Sequence, residues 1–289
     1  MKISIFKKEE KEPPEPQYYT SATNMPTLNY KVYYMSKVEK LLYSLLAFAV
    51  GAGVGYLFYG GMGKNEFGEA TTTTYVLNTV ISCIVGAIAA KLFIPIRAKQ
   101  IIDKRRKQLS VQFRDMLDSL NTSLGSGKNV PDSFSTVYGD MKLQYEEGAF
   151  ILNELEIILS GMQNNIAIED MLYDFGTRSG IDDIKSFADV FKISYRKGGN
   201  MKDIIRNTHA ILSDKMEIKE EIETTVSASK MEQNIMLVMP ILIIGMIKVM
   251  SPEFADNFTT FAGIASTTVA IALFIAAYFI GKKILDIKI

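Results

Sequence analysis

The stretch LLYSLLAFAVGAGVGYLFYG, residues 41–60, carries no charged side chain over 20 consecutive positions. A helix of about 20 apolar residues is long enough to cross the ~30 Å hydrocarbon core of a bilayer. Inside that core every backbone polar group must be satisfied within the protein, which a helix achieves by itself. This stretch therefore predicts a transmembrane helix, and lipid becomes the solvent for part of the chain.

Three further apolar runs predict three further spans. Residues 75–96 contain one charge, Lys91, close to one end, where a long side chain can reach the interface. Residues 235–250 form a shorter run that includes Pro240 and one lysine, and need flanking residues to reach full length. Residues 261–280 are uncharged. The sequence thus predicts an all-α integral membrane protein with four transmembrane helices in two pairs.

Basic residues cluster beside the four runs on one side of this predicted topology. The two loops on the other side, residues 61–74 and 251–260, contain a single lysine. Positively charged flanks are retained in the cytoplasm during insertion. We therefore expect a multi-pass membrane protein whose two termini and central segment lie in the cytoplasm. The basic flanking residues are Lys31, Lys37, Lys40, Arg97, Lys99, Lys104, Arg105, Arg106, Lys107, Lys282, Lys283 and Lys288.

The segments before the first span have a polar composition. Residues 1–28 mix lysine, glutamate and proline, which bury too little apolar surface to offset the entropy of ordering, so we predict a disordered cytoplasmic tail. Residues 28–40 interleave three tyrosines with lysines. This pattern favours either an interfacial helix at the headgroup level or a helical extension of the first span. Residues 29–96 then comprise this helix together with spans one and two.

The segment between spans two and three, residues 97–232, predicts a helical domain. From residue 108 onward apolar residues recur at helical spacing, and glycine- and asparagine-rich turns interrupt the pattern at residues 125–129, 161–165 and 198–200. The pattern indicates about six short helices around a common core, forming a cytoplasmic six-helix bundle. Residues 233–289 are then spans three and four with a short cytoplasmic C-terminus.

Composition argues against most chemical functions. The 32 basic and 32 acidic residues balance, which gives no reason to expect a nucleic-acid partner. One cysteine and one histidine exclude a disulfide framework and make a zinc site or a catalytic triad improbable on composition. No Asp, Glu or His occurs at the centre of a predicted span. We therefore expect no enzyme activity, and we assign no catalytic, cofactor-binding or metal-binding residue.

Small residues in the first two spans indicate close helix packing. Gly51 and Gly55 form a GxxxG pair, and Gly86 with Ala90 gives the same spacing in span two. Such residues let two helix backbones approach closely in lipid. Packing within one chain is the simpler interpretation, and packing between two chains is the alternative.

Four motifs in a fixed order resemble a known family. They are RRKQLSVQFRDMLDSLNTSLGSGKNVPDSF at residues 105–134, ILSGMQNNIAIEDML at 158–172, FKISYRKGGNMKDIIRNTHAIL at 191–212 and MLVMPILII at 236–244. Their order and spacing resemble the type II secretion system F-type domain family, and most closely the TadB platform proteins of Tad (type IV) pili. The resemblance covers roughly residues 100–250, and the flanking spans agree with the layout of that family.

The resemblance implies a non-enzymatic membrane platform that couples a cytoplasmic assembly ATPase to the insertion of pilin subunits into a filament. The implied partners are that ATPase, a second F-type platform protein (TadC-like), pilin subunits and membrane lipids, in a homo- or hetero-oligomer. For partner contacts we single out two polar turns of the helical domain. Their residues are Lys128, Asn129, Lys197, Gly198, Gly199, Asn200 and Lys202.

Two alternatives stay open at this point. A TadC-like partner, or the F-type protein of a type II secretion apparatus, would differ only in the filament it serves. A polytopic membrane sensor or transporter with a helical cytoplasmic domain is the alternative of another class. The absence of charges at the centre of the spans weighs against that alternative, because transport pathways usually contain ionisable groups at membrane depth.

Overall fold

A computed structural model describes residues 15–63, 69–251 and 256–285 of the chain. This part contains eight α-helices, one short β-hairpin and one 3₁₀ turn, so the all-α class is confirmed. The strands are β1 (Tyr18–Thr20) and β2 (Pro26–Leu28), and the 3₁₀ turn is Asn257–Thr259. The helices are α1 (Lys37–Tyr59), α2 (Thr72–Gly125), α3 (Val130–Gln144), α4 (Phe150–Gln163), α5 (Ile168–Ser179), α6 (Asp182–Arg196), α7 (Met201–Met250) and α8 (Phe261–Leu285).

Four of these helices, α1, α2, α7 and α8, are long and apolar enough to cross a membrane. They contain the four apolar runs of the sequence, which indicates a multi-pass membrane protein. Two of them extend well beyond a bilayer: α2 has 54 residues and α7 has 50. Pro95 and Pro240 lie inside α2 and α7, and neither proline ends its helix.

The chain forms two compact units. The first, here called the helical unit, comprises Met1–Tyr34 and Lys99–Ser213. The second, here called the membrane unit, comprises Met35–Ala98 and Asp214–Ile289. Each unit is built from two separate stretches of the chain.

An aromatic cluster occupies the core of the helical unit. The ring of Phe113 on α2 lies 5.4 Å from that of Phe187 on α6 and 6.2 Å from that of Phe175 on α5, measured between centroids. Phe134 on α3 and Phe191 on α6 continue this cluster, and all five side chains are buried. Six helical stretches lie in this unit, at the places where helical periodicity predicts them. Burial of such large aromatic side chains is a main source of stability for a core of this kind.

Small residues bring α1 and α2 together in the membrane unit. A Cβ atom added to Gly51 would lie 2.6 Å from the Cβ of Ala89 and 3.1 Å from the Cα of Gly86. A Cβ on Gly86 would lie 2.8 Å from the ring of Phe48. Gly55 is buried on the same face of α1, and Ala90 is only 8% exposed. The small-residue spacing is thus used for packing within one chain.

The segment before α1 differs from the sequence-based prediction. Residues 1–14 of the predicted disordered tail (1–28) lie outside the described residues. Residues 18–28 form an antiparallel hairpin, in which Tyr18 pairs with Leu28 and Thr20 with Pro26. The side chain of Thr27 donates a hydrogen bond to the Tyr19 carbonyl at 3.1 Å. The average composition of the tail concealed this hairpin, because its tyrosines and threonines, which favour strands, follow the charged stretch.

The predicted interfacial helix, or extension of span one, over residues 28–40 is also wrong in its first part. Residues 29–35 are not helical, and α1 begins at Lys37. Ser36 caps the helix: its hydroxyl accepts a hydrogen bond from the Glu39 amide, and the Glu39 side chain accepts one from the Ser36 amide. Tyr30 belongs to the core of the helical unit, with 1% of its surface exposed.

The contact between α1 and α2 gives a direct test. Replacing Gly51 with Leu inserts a side chain where a single carbon atom already overlaps Ala89. We expect the Gly51→Leu variant to lose about 1–3 kcal/mol of stability, seen as a lower midpoint of thermal unfolding in detergent. Gly53→Leu is the matched control, because a Cβ on Gly53 meets no atom within 4 Å. Equal midpoints for the two variants would contradict the packing described here.

Candidate partner-binding site

The first of the two predicted polar turns connects α2 to α3. After α2 ends, Gly127 adopts a φ of +90°, a conformation that L side chains rarely adopt, and its amide donates to the Leu124 carbonyl at 3.1 Å. Asn129 then caps α3, because its side-chain oxygen accepts a hydrogen bond of 2.8 Å from the Asp132 amide. Lys128 donates to the Thr136 hydroxyl at 2.8 Å.

The second turn connects α6 to α7 in a similar way. Gly198 has a φ of +69°, and the Gly199 amide donates to the Ser194 carbonyl at 2.8 Å. The side-chain oxygen of Asn200 accepts a hydrogen bond of 3.4 Å from the Asp203 amide, which confirms Asn200 as the cap of α7. Both turns therefore consist of a glycine at positive φ followed by an asparagine cap.

The fold brings these two turns together, although they are far apart in sequence. The Cε atom of Lys202 lies 4.0 Å from the position that a Cβ on Gly125 would occupy. All seven residues that the sequence analysis singled out for partner contacts are exposed. The end of α2 and the start of α7 are thus neighbours, and the exposed residues of the two turns are here called the two-turn surface: Lys128, Asn129, Lys197, Gly198, Gly199, Asn200 and Lys202.

The lysines decide the charge of the two-turn surface. Two helix C-termini and two helix N-termini meet there, so their opposite partial charges offset one another. Lys128, Lys197 and Lys202 form no ion pair with any of the described residues. Asp203, next to Lys202, accepts a hydrogen bond from the Asn200 side chain and is paired with Arg206 at 3.0 Å. An exposed cationic surface of this kind favours an acidic partner surface.

Sequence reasoning missed the most deeply buried polar cluster of the helical unit. Arg178 on α5 donates two hydrogen bonds to Glu154 on α4, from Nη1 to Oε1 at 2.9 Å and from Nη2 to Oε2 at 2.7 Å. The two side chains are 4% and 2% exposed. Arg178 also donates from Nε to Asp174 at 2.7 Å. Such paired geometry is what allows two opposite charges to remain stable away from water.

The same cluster holds the segment before α1. The Tyr30 hydroxyl donates to Glu154 Oε1 at 2.9 Å, and the Tyr30 amide donates to the Arg178 carbonyl at 3.0 Å. Arg178 Nη1 donates in addition to the Leu28 carbonyl at 2.9 Å. Arg106 on α2 reaches the Tyr30 carbonyl from Nε at 3.3 Å. The segment from the hairpin to Tyr30 is therefore a structural part of the helical unit.

The environment of this cluster shifts the pKa values of Tyr30 and Arg178. Burial raises the pKa of Tyr30 well above its ordinary value of 10, and the charge of Glu154 and its hydrogen bond raise the pKa further. Burial acts to lower the pKa of Arg178, but the hydrogen bonds and charge of Glu154, followed by those of Asp174, outweigh this effect and raise it. At neutral pH the phenol is therefore protonated and the guanidinium is charged.

Arg178 and Glu154 are almost completely buried, and only Asp174, at 50% exposure, connects this cluster to the surface. Among the described residues, no three His, Cys, Asp or Glu side chains are arranged to hold a metal ion. In the described structure the Arg178–Glu154 cluster joins α4, α5 and the segment before α1. The two-turn surface is the better candidate for contact with another molecule.

Comparison of the chain with protein-family models, with curated proteins and with solved structures finds no match.

Removal of the Glu154 charge tests the buried pair. The Glu154→Gln variant removes the buried counterion of Arg178 and leaves only the half-exposed Asp174 to pair with it, which costs about 3–5 kcal/mol. For a chain of this size we expect the midpoint of thermal unfolding of the full-length protein to fall by roughly 10 °C. Glu156→Gln is the matched control, since Glu156 lies on the exposed face of the same helix. The interpretation fails if the two substitutions shift the midpoint equally.

The raised pKa of Tyr30 predicts how the stability of the folded protein depends on pH. Because the pKa is raised in the folded protein, the unfolded chain loses this proton first as the pH rises past about 10. The stability that Tyr30 contributes is therefore complete below pH 10 and is lost at higher pH. We expect the difference in unfolding midpoint between wild type and Tyr30→Phe to be constant from about pH 7 to 9 and to shrink above about pH 10. Tyr18→Phe, at a position 60% exposed, should show no such change.

Proposed function

We propose that this chain is a platform protein of the cytoplasmic (inner) membrane in a Tad/type IV pilus or type II secretion machine. In this proposal it couples a cytoplasmic assembly ATPase to the insertion of pilin subunits into the filament. Its two candidate spans before the helical unit and two after it form two pairs, and the helical unit lies in the cytoplasm. A second F-type platform protein, similar to TadC, is the expected neighbour in the membrane.

The observation that carries this proposal is the two-turn surface. Two of the motifs that resemble the F-type family, in residues 105–134 and 191–212, contain these two turns. The turns lie next to each other, are exposed, and present three lysines without an acidic partner among the described residues. A surface of this kind supports binding of an acidic protein surface more than it supports binding of a small-molecule substrate.

The rest of the helical unit supports a role in transmitting a mechanical load. Its core is closed by aromatic contacts, and the Arg178–Glu154 pair ties α4 to α5. A partner that pulls or turns the two-turn surface therefore acts on a well-packed body. The helices α2 and α7, which end and begin at this surface, are the ones that continue toward the candidate spans.

Copurification tests the proposed ATPase contact. The full-length tagged chain, extracted in mild detergent from cells that assemble filaments, should retain the secretion ATPase encoded with it. Reversal of the three charges, as Lys128→Glu, Lys197→Glu and Lys202→Glu together, should lower the retained ATPase at least tenfold, because acidic partner groups would then face acidic side chains. The readout is the ratio of ATPase to tagged chain in the eluate.

A matched variant controls for net charge and folding. Lys104→Glu, Lys142→Glu and Lys185→Glu together change the charge by the same amount at exposed positions outside the two-turn surface. This variant should retain the ATPase like wild type. Equal retention by both triple variants would exclude the two-turn surface as the contact, and the absence of ATPase from the wild-type eluate would count against the platform role.

Deletion of the gene separates this proposal from a membrane sensor or transporter. A platform protein is needed for filament assembly, so surface filaments should disappear while solute uptake is unchanged. The reverse pattern, with filaments intact and uptake or signalling altered, would favour the alternative class.

A further inference from the structure

A large apolar cavity lies among the four candidate spans of the membrane unit. Its volume is about 840 Å³, within the range of roughly 300–1,000 Å³ that is typical of ligand sites. Side chains of α1, α2, α7 and α8 line it, among them Val54, Val85, Leu237, Ile241 and Phe274. Most of this lining is hydrocarbon. The cavity is partly open, so molecules of the surrounding medium can enter it.

Lipid chains are the molecules that such a cavity meets in a bilayer. Water gains little there, because an apolar cavity offers it few hydrogen-bonding partners. An empty cavity would forfeit the dispersion contacts of all its lining atoms. Acyl chains restore those contacts and, being already in the hydrocarbon phase, do not have to leave water to do so.

The length of the cavity suits an acyl chain. On α8 its lining extends over residues 266–278, which are twelve residue steps. At about 1.5 Å of rise per step, this corresponds to roughly 18 Å along the helix. The hydrocarbon of one leaflet is about half of the ~30 Å core. One leaflet's acyl chains can therefore lie along the cavity with their headgroup at its end.

Both ends of the cavity have polar side chains: Tyr59, Ser266 and Thr267 lie at one end, where Lys248 donates to the Gly60 carbonyl, and the other end has positive charge just beyond it. Asn234 on α7 and Tyr278 on α8 line the cavity at this end. Lys230 precedes Asn234 by four residues, and Lys282 follows Tyr278 by four. Residues four apart share a face of a helix, so both lysines continue the faces that line the cavity. Both are exposed.

A close crossing of the two helices brings these lysines to the same level. The Gln233 side chain donates to the Tyr278 carbonyl at 3.1 Å, and a Cβ on Gly281 would lie 2.5 Å from Gln233 Nε2. Lys230 is one turn from Gln233, and Lys282 adjoins Gly281. The one nearby acidic residue on α7, Glu232, is two positions from Lys230 and so points to a different face.

We propose that this cavity binds an anionic phospholipid. Its acyl chains lie against the apolar lining of α1, α2, α7 and α8, and its phosphate lies between Lys230 and Lys282. The two ammonium groups favour a lipid of net negative charge over a zwitterionic one, since each basic side chain near the membrane surface adds attraction for anionic lipid. This site is independent of the two-turn surface and of the proposed platform function.

Native mass spectrometry of the full-length protein in a neutral detergent tests the headgroup preference. The protein is incubated with phosphatidylglycerol or with phosphatidylcholine of the same acyl chains, and the bound fraction is measured over a lipid titration. We expect one phosphatidylglycerol to be retained, with phosphatidylcholine binding roughly tenfold more weakly or worse. The Lys230→Gln, Lys282→Gln double variant should bind both lipids equally weakly, whereas Lys37→Gln, Lys40→Gln should behave like wild type.

A second pair of variants tests whether the chains occupy the cavity. Ala270 lines the cavity, so Ala270→Phe fills part of it and should lower phosphatidylglycerol binding at least tenfold. Ala272→Phe places the same ring on α8 outside the lining and should leave binding unchanged. Size-exclusion chromatography of each variant verifies that the protein is intact.

Three results would overturn the proposal. Equal binding of the two lipids by wild type would remove the anionic preference. Equal binding by Ala270→Phe and Ala272→Phe would place the lipid elsewhere on the protein. Purification of the wild-type protein with an apolar peptide that phosphatidylglycerol cannot displace would identify a protein helix, and not a lipid, as the occupant.

Discussion

The helical unit depends on the buried pair of Arg178 and Glu154. Two opposite charges removed from water are stable only where their geometry is good and their remaining hydrogen-bonding capacity is used. Both conditions hold: the pair is bidentate, and Tyr30, Asp174 and the Leu28 carbonyl take up further positions. Because the partners come from α4, α5 and the segment before α1, the pair requires all three to be in place at once. It therefore specifies one arrangement of these elements more than it adds net stability.

The parts of this structure that could be predicted from sequence are those in which the signal is local. A charge-free run such as residues 41–60 predicts by itself that this segment lies in lipid. The periodicity within α2 to α7 likewise predicts each helix from its own residues. The buried pair could not be found in this way. Glu154 and Glu156 are the same residue type two positions apart, and only the distant Arg178 makes one of them a core residue. The same reason explains Tyr30: the composition of residues 28–40 favoured an interfacial helix or an extension of span one, whereas the Tyr30 hydroxyl contacts Glu154 in the core.

The candidate partner site shows the same limit. The glycine- and asparagine-rich stretches predicted both turns, because a positive φ and a side-chain oxygen that caps a helix are local requirements. The proximity of the turns was not predictable, since Gly125 and Lys202 meet only through the packing of the whole unit. The sequence therefore predicted the composition of each turn, whereas only the fold shows that the end of α2 lies next to the start of α7.

The membrane unit contains two opposite kinds of packing, one that excludes lipid and one that leaves space for it. Between α1 and α2, Gly51 and Gly86 remove side-chain volume so that protein packs against protein and lipid is excluded. Along α7 and α8 the helices touch at Gln233 and Gly281, and beyond that crossing the spans leave an apolar space. Spans that were all packed like α1 and α2 would have no such space. An apolar cavity of this size is unfavourable when it is empty, and lysines lie beyond one of its ends. A lipid with apolar chains and an anionic headgroup would fill the cavity and pair with these lysines, and the bilayer contains such lipids.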